Sequence, residues 1–363
     1  MPDQPTGDGE RRRAGGRGSQ GEPVGIDGAA IAGWMAGKVD QVELPLRFAR
    51  IAGGLSNMTY HMWDAAERHW VLRRPPLHGV EQSAHDMGRE HRIMEALGPS
   101  AVPVPPVVGL CDDTSVTGAP FFVMEYVDGA VLRGPEIVAL QTDEHMRTRA
   151  SESMIDTLVA LHAVDPDAVG LGDLGRREDY CARQLKRWQR QWDRVHTRDL
   201  PQISEAYDRL RSNIPPQLGA GIVHGDYRLD NLILDDDGRV AAVVDWELCT
   251  LGDPLADLGM LWVYWKDDGE DFSPLPRTAS DQHGFLRKVD LVERYAQASG
   301  RDLSDFEFYM ALGYWRLAII LEGVYARFSS GAYGDVPSEV SGFGQTVRAL
   351  AQAALAAAER AGR

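Results

Sequence analysis

The segment 222–247 constrains the fold of this chain more than any other part of the sequence. Three short apolar runs lie within it, at 222–223, 232–234 and 240–244. Their aliphatic and β-branched residues predict short strands, and Asp236-Asp237-Gly238 predicts the turn between the last two. These strands would clamp the polar loop between Val223 and Leu232 in place.

Three oxygen-bearing side chains in this segment have a spacing that suits phosphoryl transfer. Asn231 follows Asp226 by five residues, and Asp245 ends the last apolar run. The reaction needs one carboxylate to orient and deprotonate a hydroxyl, and further oxygen ligands to hold Mg²⁺ on the phosphates. Asp226 fits the base, and Asn231 and Asp245 fit the metal ligands. Glu247 is a further candidate ligand, directly or through water.

His224-Gly225-Asp226, Asn231 and Asp245-Trp246-Glu247 together resemble the catalytic loop of the protein-kinase-like superfamily. The His-Gly-Asp form is similar to the aminoglycoside phosphotransferase and choline kinase-like family. The run 245–254 looks nearer to the kinase-like phosphotransferases associated with acyl-CoA dehydrogenases. The resemblance implies an α+β, two-lobed protein-kinase-like fold, with a small β-rich N-lobe carrying one main helix and a larger α-helical C-lobe.

Hydrophobic periodicity along the rest of the chain agrees with that architecture. It predicts strands at 46–52, 58–63, 69–73, 107–110 and 120–125. It predicts helices at 26–36, 84–97, 143–163, 178–195, 203–213, 284–299, 304–328 and 343–361. We expect a disordered tail at 1–25, a nucleotide-binding N-terminal lobe at 26–127, and a catalytic and substrate-binding C-terminal lobe at 128–363.

The resemblance implies a phosphate-binding arrangement in the N-lobe. The turn Gly53-Gly54-Leu55-Ser56-Asn57 would cover the phosphates with backbone N–H groups, and the absence of a Gly-Lys-Ser/Thr sequence there disfavours a P-loop. Arg73 would grip the α- and β-phosphates where the family usually has Lys, a departure because the two cations are not interchangeable. Val71 lies on the same strand face and would line the base pocket. Glu90 would orient the cation.

The strand that ends near residue 127 would hold the base. Met124 would lie at the back of the pocket, and the backbone groups of Glu125, Tyr126 and Val127 would pair with the base edge. We expect ATP as the nucleotide, with GTP possible because base choice depends on the backbone geometry of this segment. Mg²⁺ is the expected metal cofactor.

The resemblance also assigns roles around the catalytic loop. Arg228, two residues beyond Asp226, would neutralise charge on the transferred group. His224 would shape the loop rather than act as an acid or base. Asp253 and Asp257 are expected to be structural, with Asp257 holding the loop backbone.

The phosphate acceptor is the least constrained feature. The family implies a small-molecule hydroxyl on the C-terminal helices, either aminoglycoside-like or a hydroxyacyl or other metabolite alcohol. Within the predicted helix 304–328, Arg316 and Glu322 are six residues apart and cannot pair along one helix face. Each therefore needs a partner on another element, or a ligand.

Composition excludes some classes of partner. A formal net charge of −16 argues against nucleic acid and anionic membrane surfaces. No run reaches the roughly 18 apolar residues of a membrane span, and the N-terminus lacks the apolar stretch of a secretory signal. Three widely spaced cysteines predict free thiols and a cytoplasmic location. Oligomeric state stays open.

Two other functions compete with a small-molecule kinase. A protein kinase is disfavoured because Asp-Trp-Glu replaces Asp-Phe-Gly and no Ala-Pro-Glu follows. A nucleotide-binding pseudokinase with a regulatory or scaffold role is favoured only by Arg73 in place of Lys. The intact set Asp226, Asn231 and Asp245 argues against it.

Overall fold

The structure is a computed structural model that describes residues 22–51, 57–76, 86–270, 278–329 and 342–362. Within these residues the chain divides into two compact units. The first comprises the described residues up to Arg92 together with Pro106–Tyr126. The second comprises Ile93–Pro105 and the described residues from Val127 onward. The first unit contains a sheet and the second is mainly helical, so the predicted α+β class is confirmed.

The first unit is built on a five-stranded antiparallel sheet. Its strands are β1 (Arg47–Arg50), β2 (Met58–Trp63), β3 (His69–Arg74), β4 (Val107–Cys111) and β5 (Phe121–Glu125), in the order β1-β2-β3-β5-β4. Three helices accompany them: α1 (Gly28–Met35), the part of α2 (Met87–Leu97) up to Arg92, after which the chain is assigned to the second unit, and the short α3 (Thr114–Thr117). The sequence predicted every one of these elements except α3, which is a single turn.

The two faces of this sheet have different surroundings because side chains alternate along each strand. Tyr60, Met62, Trp70 and Leu72 point to one face and form a buried core with α1. The other face carries a second set of side chains. In that set Thr59 is opposite Arg73, and Val71 is opposite both His61 and Met124. Val71, Arg73 and Met124, whose side chains were predicted to contact the nucleotide, therefore share one face.

The second unit contains two small antiparallel ribbons. One pairs β6 (Gly221–Val223) with β9 (Thr250–Gly252), and the other pairs β7 (Leu232–Leu234) with β8 (Val240–Val243). The strands β6, β7 and β8 and the turn at 236–238 follow the sequence prediction. Strand β9 was not predicted, because its three residues include a glycine and no alternating pattern.

Eight helices surround these ribbons in the described part of the second unit. They are α4 (Pro135–Gln141), α5 (Glu144–Ala163), α6 (Tyr180–Val195), α7 (Pro201–Ser212), α8 (Leu255–Tyr264), α9 (Lys288–Ser299), α10 (Phe306–Ser329) and α11 (Phe343–Ala361). Helices α4 and α8 were not predicted. Helix α10 packs against α6, α7, α8 and α11 and is buried almost all round, as its continuous apolar composition indicates.

Glu322 of α10 finds its partners outside its own helix, as predicted. Its carboxylate accepts hydrogen bonds from Arg198 Nη2 at 2.6 Å and from the backbone N–H and hydroxyl of Thr197 at 2.8 and 2.7 Å. The side chain is completely buried. A buried carboxylate with several charge-assisted partners ties the segment after α6 to the centre of α10.

A second buried carboxylate, Asp257 of α8, fixes the loop that follows β6. Its Oδ2 accepts the backbone N–H of His224 at 2.7 Å, and its Oδ1 accepts that of Gly225 at 2.8 Å. The imidazole of His162 donates to Oδ2 at 3.3 Å and accepts the Tyr295 hydroxyl at 2.7 Å. Burial would raise the pKa of Asp257, but these N–H donors hold it below its ordinary value. Asp257 thus has the structural role that the resemblance implied.

All three cysteines, Cys111, Cys181 and Cys249, are buried and free, in agreement with the predicted reduced thiols. None of the helices in the described ranges combines the length and apolar character that crossing a bilayer requires.

Helices α8 and α10 approach closely at a glycine contact, which gives a stability prediction. A Cβ on Gly313 would lie 2.9 Å from the carbonyl oxygen of Gly259 and from a methyl group of Val263. We expect Gly313→Ala to lower the free energy of unfolding by about 1–3 kcal/mol, the usual range for overpacking. Urea unfolding monitored by circular dichroism measures the change.

Gly323, ten residues along the same helix, is the matched control. A Cβ there would meet no atom nearer than 3.7 Å, so Gly323→Ala should raise stability by up to about 1 kcal/mol through helix propensity alone. Equal effects of the two substitutions would contradict the assigned contact.

The Asp257 contacts predict a pH-dependent loss in Asp257→Asn. An asparagine cannot accept from both backbone N–H groups and His162 at once, so unfolding free energy should fall by about 2–3 kcal/mol at pH 7. Because the pKa of Asp257 is lowered on folding, its contribution is present above the unfolded pKa of about 3.9 and lost as pH falls through the folded value. The deficit should therefore narrow below about pH 4. The exposed Asp237→Asn is the control; a deficit of constant size down to low pH would refute the assignment.

Candidate active site

The loop between β6 and β7 can adopt its path only with glycine at position 225. Gly225 has φ +85°, and a Cβ there would lie 2.8 Å from the carbonyl oxygen of Leu248. An L side chain would be strained in that conformation and would collide with the backbone. The loop therefore lies directly against the short 3₁₀ turn Trp246–Leu248.

Asp226 is held in one orientation by its neighbours. The amide nitrogen of Asn231 donates to Asp226 Oδ2 at 3.0 Å and to the Asp226 carbonyl oxygen at 2.8 Å. The side chain of Tyr264, at the end of α8, is also close to the Asp226 carboxylate. Burial raises the pKa of Tyr264, and the nearby carboxylate raises it further, so this hydroxyl keeps its proton. Asp226 and Asn231 are in contact, as their spacing in the sequence predicted. Tyr264 was not predicted to lie near them.

His224 is fully buried behind the loop. Its Nδ1 accepts the backbone N–H of Asp226 at 3.2 Å, and its Nε2 donates to the Val244 carbonyl at 3.1 Å. Both ring nitrogens are therefore used for shaping the loop. This matches the expected structural role rather than a role in proton transfer.

Arg228 lies among carboxylates beside Asp226. Its Nε is 3.4 Å from Asp226 Oδ2, its Nη1 is 3.1 Å from Asp230 Oδ2, and its guanidinium stacks 5.2 Å from the centre of the Tyr264 ring. Burial would lower the pKa of Arg228, but the charges of Asp226, Asp230 and Asp245 raise it overall. Asp230 was not predicted as a site residue. Because Asp230 follows Asp226 by four residues in the same loop, the sequence alone could have indicated that it lies near the site.

Arg316 reaches the same loop from α10. Its Nη2 donates to the Gly225 carbonyl at 2.8 Å, and its guanidinium lies 5.2 Å from the centre of the Trp188 ring on α6. The side chain is only 9% exposed. We predicted that Arg316 has a partner on another element or a ligand, and it contacts a backbone carbonyl and the face of an aromatic ring. Trp188 was not predicted as a site residue, because the sequence shows only that it lies in a helix.

Asp245 and Glu247 follow β8 on the adjacent loop. Asp245 has φ +68° and ψ +60°, the left-handed conformation that few residues other than glycine adopt. The Val244 N–H donates to the Asn231 carbonyl at 3.0 Å, which ties this loop to the first one. Glu247 is half-buried, beside the fully buried Trp246. The three predicted metal ligands therefore lie on two loops joined by a backbone hydrogen bond.

In the first unit, Arg73 and Glu90 form an ion pair. Arg73 Nε is 2.9 Å from Glu90 Oε2, with the two side chains 12% and 4% exposed. Asn57 donates from Nδ2 to Glu90 Oε1 at 2.8 Å. Arg74 points to the opposite face, is buried, and donates to the Gly25 carbonyl. Arg73, and not Arg74, is therefore the arginine that pairs with Glu90, while its role at the phosphates stays a prediction.

Some of the other residues predicted to contact the nucleotide lie outside the described residues. They are Gly53, Gly54, Leu55 and Ser56. Val71 and Met124 are cross-strand neighbours, each 7% exposed. Glu125 and Tyr126 donate their backbone N–H groups to the carbonyls of Pro106 and His69. The N–H groups of Glu125 and Tyr126 are therefore already used within the sheet and its edge.

Comparison with known proteins identifies the family. A sequence model of the phosphotransferase enzyme family matches residues 47–307. Acyl-CoA dehydrogenase family member 10 of Mus musculus is 35% identical over 304 residues, which make up 82% of this chain and 28% of that protein. The chain therefore corresponds to a part of that relative, and the resemblance to kinase-like proteins associated with acyl-CoA dehydrogenases is confirmed.

Solved structures agree. A crystal structure of a candidate aminoglycoside phosphotransferase from Ralstonia eutropha JMP134 is 32% identical, with a TM-score of 0.77, covering 92% of this chain and 99% of that one. A thermostable mutant of aminoglycoside phosphotransferase APH(4)-Ia, solved with ADP and hygromycin B, has a TM-score of 0.57 at 17% identity, covering 85% and 94%. The latter likeness shows the fold alone. The chain belongs to the phosphotransferase enzyme family and has its two-lobed, protein-kinase-like α+β fold.

Proposed function

We propose that this phosphotransferase moves the γ-phosphate of ATP to a hydroxyl of a small molecule, with Mg²⁺ as the metal cofactor. The observation that carries the proposal is the Asp226 carboxylate, fixed by Asn231 and adjoining the loop that holds Asp245. Phosphoryl transfer through a loose transition state asks chiefly for positioning and for charge stabilisation. Both are properties of this loop pair.

Asp226 is the proposed base. Its side chain is 22% exposed, so an acceptor can reach it, while the Asn231 amide restricts its orientation. It would orient the acceptor hydroxyl and take its proton as the oxygen attacks the γ-phosphorus. Arg228, whose raised pKa keeps it charged, would stabilise negative charge on the transferred group.

The donor set of the second unit fits Mg²⁺. Because the Asn231 amide nitrogen is used by Asp226, the amide oxygen is the atom left to act as a ligand. Asp245 adds a carboxylate, and Glu247 would bind directly or through water. Among the residues described, no three His, Cys, Asp or Glu side chains form a metal cluster of their own. Mg²⁺ needs none, since it commonly uses one or two carboxylates with water and phosphate oxygens.

The first unit is the proposed nucleotide-binding part. Val71 and Met124 offer an apolar surface for a base, and Arg73, held by Glu90, offers a fixed cation for the α- and β-phosphates. Gly53, Gly54, Leu55, Ser56 and Asn57 remain the predicted phosphate-covering turn, and Glu125, Tyr126 and Val127 the predicted base-edge segment. The ADP complex of the structural neighbour supports ATP as the donor; GTP is the alternative.

Two acceptor classes remain from the sequence prediction. One is aminoglycoside-like, and the other is a hydroxyacyl or other metabolite alcohol. ADP release with Mg-ATP should be measured across aminoglycosides, macrolides, amino alcohols, sugars and hydroxyacyl esters, with Asp226→Asn as background. Turnover that disappears in the variant supports the proposal and identifies the acceptor class.

The second candidate is a nucleotide-binding pseudokinase with a regulatory or scaffold role. Arg73 in place of the usual lysine favours it. The ion pair of Arg73 with Glu90 argues the other way, because the cation is still oriented by a carboxylate. Mg-ATP binding without turnover of any acceptor would favour the pseudokinase, and absence of nucleotide binding would overturn both functions.

Asp226→Asn should separate chemistry from binding. Loss of the base is expected to lower the rate of phosphoryl transfer by at least about a hundredfold. Affinity for Mg-ATP, measured by isothermal titration calorimetry, should stay within about twofold, a change of under 0.5 kcal/mol. Equal losses of rate and affinity would show that Asp226 does not act as the base.

Asp245→Ala should weaken binding of the Mg-nucleotide complex itself. We expect at least about a tenfold loss of Mg-ATP affinity, since one tenfold step corresponds to about 1.4 kcal/mol, and little change for ATP with EDTA present. The exposed Asp237→Ala on the neighbouring hairpin serves as control. Unchanged Mg-ATP affinity in Asp245→Ala would remove Asp245 from the metal site.

A further inference from the structure

Two buried N–H groups at the Trp188–Arg316 stack lack acceptors. Arg316 Nε and Trp188 Nε1 are both inaccessible to solvent, and neither has a hydrogen-bond partner among the described residues. The two side chains come from different helices, α6 and α10, and stack 5.2 Å apart. A buried polar group without a partner is unfavourable. An acceptor atom that bound to either N–H group would therefore stabilise it.

Arg316 also forms no ion pair within 4 Å with a carboxylate in the described ranges. Arg73 faces Glu90, Arg198 faces Glu322, and Arg228 faces Asp226 and Asp230. Arg316 instead has the Gly225 carbonyl and the Trp188 ring. Buried charges are normally paired, and a guanidinium offers a planar fork that matches two oxygens of a carboxylate or phosphate. An oxyanion is therefore the kind of acceptor that the Nε–H of Arg316 would suit best.

The stack lies next to the proposed base. Arg316 donates to the carbonyl of Gly225, the residue immediately before Asp226. The charges of Arg316 and Asp226 both act on the Tyr264 side chain. An anionic group bound at Arg316 would thus lie beside the backbone that immediately precedes Asp226.

We propose that Arg316 and Trp188 form an oxyanion subsite for the phosphate acceptor, so that the acceptor is an alcohol carrying a carboxylate or phosphate group. This inference rests on the proposed phosphotransferase function and narrows its acceptor. A polycationic amino sugar would place positive charge beside a buried arginine, which is unfavourable. Anionic alcohols are therefore the favoured class.

The test is an NMR titration of the full-length chain labelled with ¹⁵N-tryptophan. Trp188→Phe assigns the Trp188 indole N–H signal among the nine tryptophans, and retains the aromatic face. Sodium phosphate and sodium acetate are titrated separately against sodium chloride at constant ionic strength. We expect a saturable movement of the Trp188 signal with phosphate, acetate or both, and none with chloride.

Variants locate the response. Arg316→Gln should abolish it. Arg187→Gln removes an equal charge whose guanidinium lies 5.8 Å from the same indole ring, and should leave the response within about twofold, under 0.5 kcal/mol. If Arg316→Gln does not fold, Arg316→Lys keeps the charge without the fork, and the affinity for phosphate or acetate should fall at least about threefold.

Several outcomes would overturn the subsite. The first two are a Trp188 signal that does not move with either anion and one that moves equally with chloride. The other two are a signal that still moves in Arg316→Gln and an anion affinity that is unchanged in Arg316→Lys. Movement caused by Mg-AMP-PNP alone, with loss of the phosphate response, would assign the oxyanion to the nucleotide instead of the acceptor. The titration requires no turnover, so failure of the kinase assay and failure of this subsite are distinguishable.

Discussion

The carboxylate of Asp257 is the contact on which the organisation of the second unit depends most directly. By accepting the N–H groups of two successive residues, His224 and Gly225, it fixes the backbone just before Asp226. It can do so because His162 supplies a third donor and is itself held by Tyr295. The buried carboxylate of Asp257 thus sets the position of the solvent-accessible carboxylate of Asp226.

The surrounding contacts extend this fixation to the neighbouring loop. Gly225 allows the backbone of the first loop to touch the carbonyl of Leu248, and the Val244 N–H joins the second loop to Asn231. His224 bridges both through its two ring nitrogens. Asp226, Asn231 and Asp245 therefore have little freedom relative to one another, which is the property that a positioning catalyst requires.

Much of this arrangement could be predicted because its signals are local. The apolar runs around 222–244 and the spacing of Asp226 to Asn231 lie within one short segment, and strand alternation alone distinguished Arg73 from Arg74. Contacts from distant elements could not be predicted. Arg316 contacts both Gly225 and Trp188 only because α6 and α10 pack together, and Tyr264 comes close to Asp226 through α8. Helix α8 was not predicted because it is apolar on nearly every side, so its sequence does not alternate between apolar and polar residues with a helical period.

Arg73 has a consequence for chemical detection of this protein. A lysine at the nucleotide phosphates can be acylated or otherwise modified at its amine, whereas a guanidinium stays protonated and is a poor nucleophile under the same conditions. Nucleotide analogues that report kinases by transferring an acyl group to that lysine would leave position 73 unlabelled. In the proposed function, where Arg73 contacts the nucleotide phosphates, a survey of cell extracts with such reagents would therefore find no label at this position even when the nucleotide is bound.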